Sequence, residues 1–195
     1  DPPIEKLHQE SHIFETMQAL KNEGKIRAIG ISTRSPREDI IAIEQFEIDT
    51  IQLNFSLVDQ RIIENGVLEK CQAKNVGILV RTPLCFGFLT GNYGFTKWFS
   101  SDDHRSRWSS EQIGRWAHAH ELFTHNLPEV EIQTNAQIAL RFCLSYPQVT
   151  TVIPGMLTPD HVEENVRSSE LGGLSLKSLQ ICSEIYKEHQ FFIQN

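Results

Sequence analysis

Residues 24–56 read GKIRAIGISTRSPREDIIAIEQFEIDTIQLNFS, and this stretch carries a strand, a helix and a second strand in that order. Residues 25–32 are strand-like, with Ile26, Ile29 and Ile31 prominent. Ser35 is placed to cap a helix, Pro36 suits its first position, and Glu38 stands where a capping box closes. The helix then runs to about Phe46, with Ile40, Ile41 and Ile43 on its buried side. Over residues 50–56 the pattern changes to period two. Ile51, Leu53 and Phe55 point one way and Gln52, Asn54 and Ser56 the other. A strand, a crossover helix and another strand make a right-handed unit with the two strands parallel.

The same alternation continues on both sides. Residues 13–22 form a helix by spacing, stopped by Gly24, and residues 62–74 form another. A third strand covers 76–80 and ends in Arg81-Thr82-Pro83. A long loop rich in glycine and aromatic residues follows, from 84 to about 109. Helices are expected over 112–123 and 134–145, then a strand over 150–154. Thr158-Pro159 opens a helix to about 168, and a last helix covers 177–191. The fold class is therefore α/β, with about four parallel strands and surrounding helices in one domain over residues 1–195. In such folds ligands bind beyond the C-terminal ends of the strands.

Composition narrows the function. With 39% hydrophobic and 22% charged residues, the 195-residue chain can build a core. A net charge of −7 without a basic run argues against nucleic acid and against an anionic membrane surface. No apolar run reaches the roughly 18 residues of a spanning helix, and no stretch reads as a signal peptide. Four cysteines, none in a CxxC pair, read as free thiols in a reducing compartment, which points to the cytoplasm. His118 and His120 point to different sides of their helix, and Asp102-Asp103-His104 reads as a solvated loop, so no metal site is expected.

The strand ends carry the chemistry. The first ends in Ser32-Thr33, and the second bears Gln52 and Asn54 on one face. Amides there suit a ligand carboxamide, or equally a polar plug between strands. In LCFGFLTGNY (84–93), Gly87 and Gly91 would let backbone N–H groups approach a phosphate, although an ordinary loop has the same composition. At the fourth strand end Gly155 precedes a helix N-terminus with His161 in its first turn, which suits an anion as well as a plain capped helix.

Five stretches in series resemble the aldo-keto reductases across nearly the whole chain: GKIRAIGISTRSP (24–36), IDTIQLNFSLVDQR (48–61), VGILVRTPLCFGFLTGNY (76–93), DDHRSR (102–107) and TTVIPGMLTPDHVEENV (150–166). Within the family the chain is more similar to the general-stress-protein and potassium-channel β-subunit type. The resemblance implies the C-terminal half of a (β/α)8 TIM barrel, binding NADP or NAD without a Rossmann domain. It assigns Ser32, Thr33 and Gln52 to the nicotinamide carboxamide and Arg81 to the place of the usual stacking ring. Thr82, Pro83, Leu84, Gly87 and Gly91 would wrap the pyrophosphate. Gly155, Leu157, His161, Glu164 and Asn165 would hold the adenosine end. NADPH-specific relatives carry Lys and Arg where this chain has Gly155 and His161, so no strict 2′-phosphate preference is implied. Arg105 or Arg107 could compensate.

The family's catalytic Asp, Tyr, Lys and His match no residue of this chain, and Tyr93, Tyr146 and Tyr186 all stand elsewhere. The expectation is therefore part of an oxidoreductase reducing small aldehydes or ketones, this chain being a piece without the N-terminal strands and inactive alone. Its start at Asp1-Pro2-Pro3 agrees with a fragment, a processed product or a trimmed chain. The alternative is a non-catalytic cofactor-binding or regulatory module resembling a channel β-subunit. Two open sheet edges would favour association, including a homo-oligomer.

Overall fold

The strand–helix–strand unit of residues 24–56 forms as a parallel pair. In the computed structural model, which describes residues 4–10, 12–94, 99–128 and 133–193, β1 (Gly30–Ser32) and β2 (Thr50–Asn54) flank helix α3 (Pro36–Gln45). β3 (Gly77–Arg81) and β4 (Val149–Ile153) complete a parallel sheet in the order β1-β2-β3-β4. The register sets Ser32 beside Gln52, Asn54 beside Arg81, and Arg81 beside Ile153. β2, β3 and β4 thus end level at Asn54, Arg81 and Ile153, and β1 stops at Ser32, two residues short of them.

One face of the sheet is packed by helices. Ile51, Leu53, Ile78 and Val80 are buried there, with Phe55 against Phe142 at 5.2 Å between ring centroids. The opposite face carries Gln52, Asn54, Leu79 and Arg81, all half-buried. Around the sheet lie α1 (Ile4–Gln9), α2 (His12–Asn22), α4 (Arg61–Glu64), α5 (Val67–Lys74), α6 (Ser110–Ala117), α7 (Ala119–Thr124), α8 (Asn135–Leu144), α9 (Pro159–Glu170) and α10 (Leu176–Glu188). No helix among the described residues is long and apolar enough to cross a membrane.

Several expected boundaries move, each for a local reason. β1 has only three residues, because Gly30 faces Thr50 at the very start of β2. The residues before it close the end of α2 instead: Lys25 N–H donates to Leu20 O, and Asp49 holds both Ile29 N–H and the Lys21 ammonium. Residues 62–74 form two helices rather than one, since Gly66 adopts the left-handed conformation at φ 71° between them. Residues 112–123 likewise split at His118, which ends α6 and begins α7. The Ser35 cap accepts from Glu38 N–H, but the Glu38 carboxylate takes Arg34 N–H at 2.7 Å rather than closing a box on Ser35. The true capping box is at α8, between Thr134 and Gln137. Helix α1 has no counterpart in the sequence reading, and α10 stops before Phe191, whose ring stacks on Phe123.

Candidate functional site at the strand ends

The chain from Thr82 to Gly91 leaves β3 through an unusual backbone. Thr82, Cys85 and Phe86 have φ of 56°, 46° and 57°, and Gly87 and Gly91 have φ of 93° and 81°. So many left-handed residues in succession are kept only where the surroundings impose them, and such strain gathers at functional sites. Here the surroundings are aromatic and cationic. Phe86 packs on Trp108 at 4.3 Å, and Tyr93 lies under the Arg105 guanidinium at 4.5 Å. Arg105 is held in turn by a bidentate pair with Asp103, at 2.9 and 2.8 Å, and donates to Phe86 O. This pairing holds the Asp103 carboxyl down at about 2.

This turn forms one wall of a cleft of about 760 Å³. The other walls are the start of α8 (Thr134, Asn135), the end of β4 (Ile153, Gly155) and the start of α9 (Leu157, His161, Glu164, Asn165). Two helix N-termini therefore open on the cleft, and Arg105 and His104 also line it. His161 is fixed by its own chain: Nδ1 accepts from Leu157 N–H at 3.2 Å, which leaves Nε2 to carry the proton, and its N–H donates to the Thr158 cap.

Two features of the cleft suit a ligand more than the protein. Asn165 Nδ2 is buried and meets no acceptor among the described residues. A side chain at Gly155 would touch nothing within 4 Å, and its φ is not left-handed, so neither packing nor the backbone requires glycine there. Gly87 differs: a Cβ there would stand 2.7 Å from Tyr93 Cε2.

Behind the cleft lies a polar cluster on the half-open face of the sheet, joined to it by the Thr82 hydroxyl, which donates to Asn54 Oδ1 at 3.1 Å. Arg81 organises this cluster. Its guanidinium donates to Asn54 Oδ1 and Ser32 Oγ, each at 2.7 Å, and to Thr33 O at 2.5 Å. Burial lowers the Arg81 pKa, and Asp39 opposes that shift. Gln52 Nε2 reaches Ser32 Oγ at 3.4 Å.

Of the residues anticipated from sequence, Thr82, Pro83, Leu84, Gly87, Gly155, Leu157, His161, Glu164 and Asn165 line the cleft. Ser32, Gln52 and Arg81 form the cluster beside it. Thr33 is buried and turns away, its hydroxyl donating to Asp39 Oδ1 at 2.5 Å. Gly91 lies beneath the wall, where a Cβ would meet His120 and Asn135 at 2.9 Å. Arg107 does not line the cleft and its Nε donates to His104 O, whereas Arg105 does line it. Thr134 and Asn135 are additions, legible in the sequence only as a helix cap. Asp39 is another, and a helical position among isoleucines gave no signal of it.

Known proteins share the family and the fold of this chain. The probable pyridoxal reductase 2 of Schizosaccharomyces pombe is 25% identical over 202 aligned residues, covering 92% of this chain and 57% of that protein. The NADH-specific methylglyoxal reductase of Escherichia coli is 26% identical, over 77% of this chain and 46% of its own length. The chain spans about half the length of the curated relatives it matches. Among solved structures, the glycerol dehydrogenase AKR11B4 of Gluconobacter oxydans superposes with a TM-score of 0.74 at 26% identity, over 92% of this chain and 54% of that one. The four parallel strands and their helices thus match part of a (β/α)8 barrel. The model of the aldo/keto reductase family matches residues 3–187, which takes in the sheet, the cleft and the polar cluster, and the chain belongs to that family.

Proposed function

We propose that this chain is the dinucleotide-holding part of an NAD(P)H-dependent oxidoreductase that reduces small aldehydes or ketones. The observation that carries the reading is the cleft itself: two helix N-termini, an unmatched Asn165 donor and an unforced Gly155 meet beyond the ends of parallel strands. These residues fit a dinucleotide. The starts of α8 and α9 and the Arg105 guanidinium would face its phosphates, Asn165 would donate to an acceptor at the adenosine end, and Ser32 and Gln52 would meet the carboxamide. When bound, the reduced nicotinamide supplies the hydride. The chain's own part is to orient that ring at the strand ends and keep it there.

Neither dinucleotide is favoured strongly. The cleft places Glu164 beside His161 and offers Arg105 already paired with Asp103, so a 2′-phosphate would find little unspent positive charge. A similar protein is named as NADH-specific, which supports acceptance of NADH. Four free, buried thiols support a cytoplasmic setting.

A second reading is a cofactor-binding module without turnover. It is favoured by the state of the tyrosines: burial pushes Tyr146 and Tyr186 up to about 12, and Tyr93 lies under Arg105. Fluorescence titration with NADH and NADPH tests the shared claim, with saturable binding in the micromolar range expected. No saturation up to about 1 mM would sink both readings. A carbonyl-reduction assay on the same sample then separates them.

A further inference from the structure

Asp39 is a carboxylate with only 2% of its surface exposed, on the inner side of α3 with Ala42 and Ile43. The helix does not need it, since Ser35 already caps the N-terminus. The core does not need it either, because an apolar side chain would fill the place without the cost of burying a charge. What it touches is Thr33, whose hydroxyl it accepts at 2.5 Å.

Thr33 is held from three directions. Its side chain is held by Asp39, its N–H donates to Gln52 O at 3.1 Å, and its carbonyl accepts from Arg81. The adjoining Ser32 hydroxyl accepts from the same guanidinium and from Gln52. β1 has just three residues, so its ladder alone is a weak support for this turn. We infer that Asp39 is a positioning residue which, through Thr33, fixes the end of β1 in the shape that presents Ser32 to a ligand. The inference rests on the dinucleotide reading above and extends it to a residue outside the cleft.

The charge around Asp39 is mixed. Arg34 faces it from the β1–α3 turn, Glu38 from α3 itself, Arg81 from β3, Asp59 from just before α4, Arg61 from its start, and the Cys71 thiol from α5. Burial dominates and raises its carboxyl to about 6. An ionised carboxylate can only accept, which holds the Thr33 hydroxyl towards it. Once protonated it can itself donate, and the hydroxyl is released towards Gln52 O at 3.3 Å.

The test measures NADH and NADPH affinity of the full chain, together with amide hydrogen exchange at Thr33. Asp39→Asn can donate as the protonated acid does, and should weaken binding about threefold at pH 8. Asp39→Leu should weaken binding about tenfold and speed Thr33 exchange about tenfold. The wild type should lose affinity about threefold between pH 7 and pH 5, while Asp39→Asn stays flat. If Asp39→Leu does not fold, Thr33→Val removes the same link from the other side and should give the same losses. Unchanged affinity in Asp39→Leu and Thr33→Val, equal losses in the Asn and Leu variants, or the wild-type pH profile persisting in Asp39→Asn would each overturn the inference. If the wild type binds neither dinucleotide, the functional reading fails, and Thr33 exchange decides the positioning role alone: faster in Asp39→Leu supports it, unchanged refutes it.

Discussion

The guanidinium of Arg81 on β3 reaches across β2 and donates to Ser32 Oγ on β1 at 2.7 Å. Three strand ends are thereby tied by one side chain, which also takes Asn54 Oδ1 and Thr33 O. A flat group with five donors suits this task in a way that an ammonium does not.

Arg81→Met should therefore destabilise the chain by about 1.5–3 kcal/mol, the range for removing a charged hydrogen-bonding group from a half-buried network. Arg81→Lys should recover less than half of the loss. Urea unfolding of the three proteins decides it, and a Lys variant as stable as wild type would contradict the role given to the planar fork.

The pH dependence of stability should carry the mark of Asp39. Its folded pKa, about 6, lies above the ordinary 3.8, so the folded state holds the extra proton between those values. Stability contributed by this group is full below about 4 and is lost as pH rises through 6. Asp39→Asn should remove that decline and make the chain more stable at pH 8, by on the order of 2 kcal/mol. Unfolding curves at pH 5 and pH 8 that move in parallel for both proteins would refute this.

Two glycines should separate folding from binding. Gly87→Ala meets both a left-handed backbone and the Tyr93 ring, so a loss of about 1–3 kcal/mol is expected. Gly155→Ala meets neither and should leave the melting temperature within a degree or so, yet weaken dinucleotide binding at the cleft wall. Equal stability losses in the two variants would break the distinction.

The thiols should be inert in the native chain. All four are free and buried, and burial raises those of Cys71, Cys85 and Cys143, the first to about 12. A disulfide reagent at pH 8 should label none within minutes, and all four once urea is added. Rapid labelling of any one in the native state would show that its surroundings open.

Much of the architecture was legible in residues 24–56, because the forces that set it are local. Alternation in 50–56 buries Ile51, Leu53 and Phe55 whatever else the chain does, and Ser35-Pro36 starts a helix from its own hydrogen-bonding and φ. The family motifs likewise marked nine cleft residues. Other features depend on residues far apart in sequence. Ser32 and Gln52 meet because of sheet register, Arg81 spans three strands because the sheet brings Asn54, Ser32 and Thr33 within reach of its guanidinium, and Arg105 rather than Arg107 lines the cleft, where it pairs with Asp103. Asp39 stands at an apolar position of an amphipathic helix, and nothing nearby in sequence shows that Thr33 will be folded against it. Short-range patterning determined which elements form and which residue types stand at their ends. Tertiary packing alone decided which of those side chains touch, since a hydrogen bond depends on tenths of an ångström that no periodicity encodes.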